Sequence, residues 1–336
     1  MHSAGVLRFE FFNKVMHVVL TSPKRTLIAV LALTGAAAGA SAQNDFPTKA
    51  VRILATEAGG SSDTYVRIIA PALTNRWGKQ VIVDNRPGII AIETLIRAQP
   101  DGYSLLCFAS ALWIGPMMGR GSYDPFKDVM PITLALSAPL VLAVGAALPT
   151  KSVSELIALA KARPGTVSYG SGGQGSGLHL AGELFKSMAG VDILRVPFSS
   201  ASPATTATIT GEVSMIFATV GAIGQHVKSG RLRLLGVGSL KPSPLVPDLP
   251  TIASTVPGFD ATLIQGFFVP AKTPPALIAR LQRDITTALA EPEVRDKYLV
   301  AGTETVGSPP QELSKAMKLD VERYGKILRA GGIKTE

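Results

Sequence analysis

The 336-residue sequence has a single cysteine, four histidines, 6% aromatic residues and 17% charged residues. One cysteine, Cys107, excludes a disulfide within the chain and a cysteine-rich metal site. Cys107 lies in an apolar run, where packing in a core is its expected role. The net charge is +9, but the basic residues are dispersed and form no block with interleaved aromatic residues. This pattern argues against nucleic acid as a partner.

Groups suited to catalysis are also scarce. Only His179 and His226 lie beyond residue 42, and no cluster of histidine, cysteine and aspartate has metal-ligand spacing. Neither Ser171 nor Ser176 lies in the G-x-S-x-G motif of serine hydrolases. We therefore expect no catalytic residue, no metal and no cofactor. The alternative is an exported enzyme that uses a glycine–serine loop as an anion or oxyanion cradle.

A secretory leader is indicated at the N-terminus. Lys24 and Arg25 precede an uncharged, mostly apolar run, and the small residues of an A-x-A site follow it at 40–42. This order is typical of a signal peptide, and the run is shorter than the ~20 apolar residues of a membrane-spanning helix. We expect residues 1–42 to be a signal peptide and the mature protein to be periplasmic.

The remaining sequence alternates short apolar runs with segments of helical periodicity, which favours an α/β fold. A first series has strand patterns at residues 51–55, 81–83 and 103–108, with helical patterns between them. A second series runs from about residue 152 to residue 237. Such alternation predicts mostly parallel strands covered by helices.

An almost wholly apolar segment, residues 132–144, separates the two series and contains Pro139. We predict two short buried strands around a kink, because proline disfavours a helix interior. Helical patterns at 274–290 and 309–329 end the chain, and we expect this tail to pack on the first lobe. The predicted lobes are residues 43–143 with 266–336, and residues 144–265.

The most informative segment is a glycine-rich loop, YGSGGQGSG at residues 169–177, between a strand pattern and a helix pattern. Glycines let the backbone approach a ligand closely, and the helix start offers unpaired N–H groups and the positive end of its dipole. Such a loop can hold a carboxylate or a phosphate. The predicted ligand-binding residues here are Ser171, Gly172, Gly173, Gly175 and Ser176.

Two other interpretations of this loop stay open. It could be a glycine-rich turn and helix cap that binds nothing. Gly170, Gly172 and Gly175 also match the G-x-G-x-x-G motif of dinucleotide-binding folds, with Asp192 near the expected spacing. The motif lies in mid-chain, no second fingerprint follows, and export removes the protein from cytosolic cofactors. We therefore favour anion binding.

A second glycine–serine turn, GGSSD at residues 59–63, also joins a strand pattern to a helix pattern. Its serines can cap the helix or donate hydrogen bonds to a ligand, whereas Asp63 suits the helix dipole as an acid of the first turn. One such turn in each lobe would hold a ligand from both sides. The predicted ligand-binding residues here are Gly60, Ser61, Ser62 and Asp63.

Several blocks together resemble the Bug receptor family, the periplasmic receptors of tripartite tricarboxylate transporters. The resemblance extends from residue 46 to the terminal helices, and the order and spacing of the blocks make it specific. The blocks are GGSSD at 59–63, DNRPG at 84–88, PDGYSLL at 100–106, YGSGGQGS at 169–176, HLAGELF at 179–185, VPF at 196–198, PA at 203–204 and PGF at 257–259.

The resemblance implies a two-lobed type II periplasmic-binding-protein fold, with a mixed, mostly parallel sheet in each lobe and crossing strands as the hinge. It implies capture of a small carboxylate: a dicarboxylate, a tricarboxylate, an acidic amino acid or an aromatic acid. The implied partner is a two-component membrane permease or a membrane sensor. Cleft walls fall near Phe198 and Phe267. We expect a monomer.

Several positions at the expected edges of the cleft depart from the family pattern. A proline-rich entry is replaced around Glu57, and a glycine-rich run is replaced from Ile89 onward. Ser199 stands where lysine is common, and Phe267 where tryptophan is common. The ligand's identity therefore cannot be inherited from any relative. Glu57 would bring negative charge to the mouth of the cleft and select against highly charged polycarboxylates.

We predict that the exported protein begins at Gln43. Cleavage follows the small residue at the end of the leader, which is Ala42. Intact-mass spectrometry of protein recovered from the periplasm tests this prediction. A mass that still includes residues 1–42 would contradict it.

Overall fold

The computed structural model describes residues 46–330 except Gly59 and Gln174. The predicted signal peptide, residues 1–42, lies outside the described residues. The chain divides into two compact units, Met1–Thr48 and Lys49–Glu336, and every described helix and strand belongs to the second unit. No helix of the described residues is long and apolar enough to cross a membrane.

The described strands form a mixed sheet in the order β2-β1-β3-β9-β4-β7-β5-β6, and β8 and β10 also pair with β4. The neighbours β2, β1 and β3 are parallel, as are β6, β5 and β7, whereas β9 and β4 run antiparallel to their neighbours. The expected α/β class is thus confirmed. The strands are β1 (Val51–Ala55), β2 (Val81–Asn85), β3 (Ser104–Ala109), β4 (Val129–Gly145), β5 (Ser168–Ser171), β6 (Leu194–Pro197), β7 (Met215–Thr219), β8 (Leu232–Val237), β9 (Thr262–Pro270) and β10 (Glu304–Thr305).

Helices flank this sheet, and all the helical segments predicted from periodicity are present. The short α3 and the helix α9 were not predicted. The helices are α1 (Ser61–Trp77), α2 (Gly88–Ile96), α3 (Ala111–Ile114), α4 (Val153–Ala162), α5 (Gly177–Ala189), α6 (Ala201–Thr210), α7 (Val220–Lys228), α8 (Pro275–Ala290), α9 (Pro292–Val300) and α10 (Pro310–Ala330), with 3₁₀ turns at Gly115–Met118 and Ile252–Ser254.

The apolar segment between the two strand series forms one continuous strand, β4, so the prediction of two short strands was wrong. The partner of the strand nevertheless changes at Pro139. Residues 129–139 pair with β9, whereas residues 140–145 pair with β7 and β8. Proline has no N–H to donate to a ladder, and here it lies where one partner strand gives way to the next. Strand pairing on both sides of Pro139 therefore keeps β4 continuous, although the proline was expected to interrupt it.

The terminal helix α10 packs against β4 and α3, and it also packs against α5 of the second strand series. Nε1 of Trp113 donates a hydrogen bond to Oδ2 of Asp320 at 3.1 Å. Nη1 of Arg323 donates to the carbonyl of Asp260 at 2.7 Å. The tail thus contacts more of the chain than the first series on which it was expected to pack. The exact lobe boundaries stay a prediction.

Three phenylalanines fill the interior between α5 and the second strand series. Phe185 of α5 lies 6.0 Å, centroid to centroid, from both Phe217 of β7 and Phe259, and the last two rings are 5.9 Å apart. All three are buried. Aromatic pairs at this spacing add packing energy to the burial of their apolar area. This cluster fixes α5, and with it the glycine-rich loop that precedes the helix.

We predict that Gly182→Ala lowers the free energy of unfolding by about 1–3 kcal/mol, the usual cost of overpacking a core. A Cβ at Gly182 would overlap the ring of Tyr169. Tyr169 is buried and its hydroxyl donates to Oε1 of Glu183 at 2.6 Å, so the ring is held in place. Urea unfolding measures the change.

The matched control is Gly224→Ala in α7, where nothing lies within 4 Å of an added Cβ. Because alanine replaces glycine inside a helix, this variant should raise the free energy of unfolding by roughly 0.5–1 kcal/mol. Equal effects of the two substitutions would contradict the prediction.

Candidate functional site

A cavity of about 160 Å³ lies where α2, α3 and the glycine-rich loop before α5 come together. Both α2 and α3 follow the carboxyl ends of parallel strands, which is where open α/β sheets bind ligands. The wall is largely apolar, and Arg120 is the charged side chain among the described residues that line it. These are Gly88, Ile89, Ile92, Phe108, Ala111, Ile114, Gly115, Met118, Arg120, Tyr123 and Gly175.

Polar groups at the cavity are in part held by the protein's own atoms. Oε1 of Glu57 accepts a hydrogen bond at 3.2 Å from the N–H of Gly88, the first residue of α2. The hydroxyl of Tyr123 donates to the carbonyl of Leu112 at 2.8 Å, and burial raises the pKa of Tyr123 above its usual range. Tyr123 therefore offers the cavity its ring, while the exposed Arg120 brings positive charge.

The glycine-rich loop reaches the cavity through Gly175. This residue has φ +74, which favours glycine, and a Cβ there would overlap Met118. The N–H of Gly175 donates to Nδ1 of His179 at 2.8 Å. Burial, together with the charge of Arg195, lowers the pKa of His179 to about 4. A neutral His179 keeps Nδ1 as an acceptor and so holds Gly175 in position.

The other predicted residues of this loop bond to one another and to Arg195. Ser171 is buried, accepts a hydrogen bond from Nε of Arg195 at 2.9 Å and donates to the carbonyl of Gly172 at 3.2 Å. The carbonyl of Gly173 accepts the N–H of Ser176 at 3.0 Å. Oγ of Ser176 accepts a first-turn N–H at 3.3 Å and caps α5. These residues build the loop, and their binding of a ligand stays a prediction.

The first glycine–serine turn reaches the cavity only indirectly. Gly60 and Ser61 begin α1, and the N–H of Gly60 donates to the carbonyl of Glu57 at 2.9 Å. Ser62 is buried, and its Oγ accepts a hydrogen bond from Nε2 of Gln265. No described residue of this turn lines the wall. The turn instead positions Glu57, whose carboxylate bonds to the start of α2.

Asp63 ties α1 to the end of β2. Its buried carboxylate accepts hydrogen bonds at 2.8 Å from Nε of Arg67 and from Nδ2 of Asn85. The same Asn85 amide donates to the carbonyl of Thr56 at 2.8 Å. These contacts support the structural interpretation of Asp63 as a first-turn acid that stabilises the turn.

Neither predicted wall phenylalanine lines the cavity. Phe198 is partly buried against an apolar cluster in the second strand series. Phe267 is paired with Cys107 in the sheet, whereas Phe268 packs on Trp113. Because successive side chains of a strand point to opposite faces, Phe267 lies on the face away from Trp113. The expectation that Phe267 forms a wall is therefore not met at this cavity.

A larger groove of about 1110 Å³ lies between the start of β4, α8 and α10. Lysines at its rim are Lys272, Lys315 and Lys318. None of the predicted ligand-binding residues lines this groove. The smaller cavity is lined by the predicted residue Gly175 and lies beyond the carboxyl ends of two strands. It is therefore the candidate site.

Of the residues that line the cavity, the sequence motifs predicted Gly175 as ligand-binding but not the others. Ile89 was noted only as a departure from the family pattern, and its 38% exposure at the start of α2 is known only from the structure. Ile114 and Met118 lie in a short helix and a 3₁₀ turn that have too few residues for periodicity to show. Arg120 follows them in a loop and carries no motif.

We predict that His179 stays neutral down to about pH 4. The unfolded chain takes up this proton near pH 6.5, so the native state loses stability from His179 as the pH falls from 6.5 towards 4. Titration of the histidine ring protons by NMR measures the midpoint, and loss of one signal in His179→Gln assigns it. A midpoint near 6.5 for that signal would contradict the prediction.

Comparison with known proteins identifies the family. The family model described as tripartite tricarboxylate transporter family receptor matches residues 65–333. A protein encoded in the tcbD–tcbE intergenic region of Pseudomonas sp. (strain P51) is 33% identical over 313 residues, which cover 91% of this chain and 93% of the relative.

Solved structures agree with this match. R. palustris Rpa4515 with adipate is 29% identical with a TM-score of 0.72, over 85% of this chain and 98% of that chain. The periplasmic binding protein BugD is 26% identical with a TM-score of 0.70, over 86% and 99%. They confirm the periplasmic-binding-protein fold and the resemblance to Bug receptors. The chain belongs to the tripartite tricarboxylate transporter receptor family.

Proposed function

We propose that the protein is a periplasmic receptor that captures a small carboxylate in the cavity and delivers it to a two-component membrane permease. The observation that carries this proposal is the composition of the wall. It joins α2 and α3 of the first strand series to Gly175 of the second series. A pocket shared in this way can enclose a ligand when two lobes close and release it when they separate.

A carboxylate suits the charged part of this site. Arg120 lines the cavity, and a guanidinium carries N–H donors in a planar fork that matches a carboxylate. Gly175 has no side chain, and Met118 packs against its backbone at the wall of the cavity. The binding of adipate by the related R. palustris protein, itself a carboxylic acid, supports the same ligand class.

The lobes proposed are residues 43–143 with 266–336, and residues 144–265. β4 and β9 would then form the crossing strands, since β4 pairs with both series. Met118 and Gly175 touch at the cavity and come from different lobes. We propose that this contact separates when the receptor opens. A monomer is sufficient for this cycle.

An exported enzyme that uses the loop as an oxyanion cradle is supported less well. Ser171 is buried and bonded to Arg195, and Nδ1 of His179 already accepts the N–H of Gly175. Neither group is placed as a nucleophile and base pair. The family match is to receptors. We therefore propose delivery to a permease rather than catalysis. A receptor that signals to a membrane sensor would bind its ligand in the same way and differ only in its partner.

We predict that Arg120→Gln weakens binding of the preferred acid at least tenfold, because a charge-assisted hydrogen bond contributes about 1.5–3 kcal/mol. A thermal-shift screen of mono-, di- and tricarboxylic acids on residues 43–336 identifies that acid, since a bound ligand raises the melting temperature. Isothermal titration calorimetry then compares the variant with the unchanged protein.

Arg97→Gln is the matched control. Arg97 follows α2, is exposed, bonds to Glu93 at 3.4 Å and does not line the cavity. It should bind the acid with unchanged affinity. The proposal fails if no acid in the screen raises the melting temperature, or if both arginine variants bind equally well.

A further inference from the structure

We propose that the cavity selects monocarboxylates with an apolar body of about six carbons, and that Glu57 rejects ligands with a second carboxylate. This inference rests on the proposed function and narrows its ligand class. It follows from three features of the cavity: its volume, its apolar wall and the placement of one carboxylate.

The volume sets the size of the apolar body. The cavity measures about 160 Å³. An apolar cavity engineered into another protein, of about 150 Å³, holds one benzene molecule. A six-membered ring or a chain of about six carbons therefore matches this space in size.

The wall favours an apolar body over a polar one. Ile89, Ile92, Phe108 and Ile114 contribute aliphatic and aromatic surface. The hydroxyl of Tyr123, the polar atom of its side chain, is already bonded to a backbone carbonyl. A ligand hydroxyl or a second acid group that entered this space would lose hydrogen bonds to water and regain few.

Glu57 adds negative charge at the start of α2. Its Oε1 accepts the N–H of Gly88, a lining residue, at 3.2 Å. The first amide of this helix, which would otherwise attract a ligand anion, is thus occupied by a carboxylate of the chain itself. A second carboxylate of the ligand at this helix start would lie near the carboxylate of Glu57, and like charges repel.

Arg120 lines another part of the same wall, and its positive charge favours a carboxylate. We place one carboxylate of the ligand beside Arg120, where the positive charge attracts it. A neutral far end then avoids Glu57 and packs on the isoleucines. The pairing of one cation with one nearby anion therefore favours a single acid group on an apolar body.

Three acids of equal chain length test this inference: hexanoate, adipate and 6-aminohexanoate end in a methyl, a carboxylate and an ammonium group. Isothermal titration calorimetry on residues 43–336 should give at least tenfold tighter binding for hexanoate than for adipate. In Glu57→Gln the amide oxygen can still accept the N–H of Gly88, but the charge is gone. The ratio of the affinity for hexanoate to the affinity for adipate should then fall at least fivefold, mainly because adipate binds more tightly.

Glu93→Gln is the matched control, because Glu93 lies on the same helix, pairs with Arg97 and does not line the cavity. It should leave the ratio unchanged. Equal binding of hexanoate and adipate, or an unchanged ratio in Glu57→Gln, overturns the selectivity and leaves carboxylate capture standing. Tighter binding of 6-aminohexanoate than of hexanoate also overturns it, since Glu57 would then attract an amine. Failure of every acid in the wider screen defeats the proposed function itself.

Discussion

The continuous pairing of β4 is the constraint on which the rest of the structure depends. This strand bonds to β9 along residues 129–139 and to β7 and β8 along residues 140–145. Both strand series therefore pair with the same strand. The cavity exists because α2 and α3 of one series and Gly175 of the other are brought to the same place by that pairing.

Much of the polar chemistry near the cavity serves the protein itself. Asp63 holds Arg67 and Asn85, Gln265 donates to Ser62, and Arg195 bonds to Ser171. Buried polar groups need partners, and these loops satisfy them internally. The result is a pair of rigid turns whose donors and acceptors are largely used. Preorganised turns lower the entropy lost when a ligand binds, because fewer groups have to become ordered.

The same arrangement explains why an apolar cavity can sit among glycine–serine loops. Ser62, Ser171 and Ser176 bond within or next to their turns. The wall of the cavity consists largely of apolar side chains such as those of isoleucine, phenylalanine and methionine. Arg120 contributes a positive charge to this surface. Glu57 contributes a negative charge next to it, because its carboxylate accepts the first N–H of α2. Family membership thus describes the architecture of the receptor, whereas the proposed choice of ligand depends on the side chains at the cavity.

The sequence pattern alone determined the α/β class, the strand and helix segments with clear periodicity, and the family, because alternation and motif order are local properties of the chain. It marked Pro139 as an interruption, but it predicted a kink between two strands. The continuity of β4 and the change of partner at Pro139 depend on a ladder formed with distant residues. The cavity was decided by the tertiary structure alone. Gly88, Phe108 and Gly175 come from three separate segments of the sequence, and no local rule places a carboxylate such as Glu57 on the amide of Gly88. A cavity made by contacts between separate segments becomes visible only when those segments have been packed together.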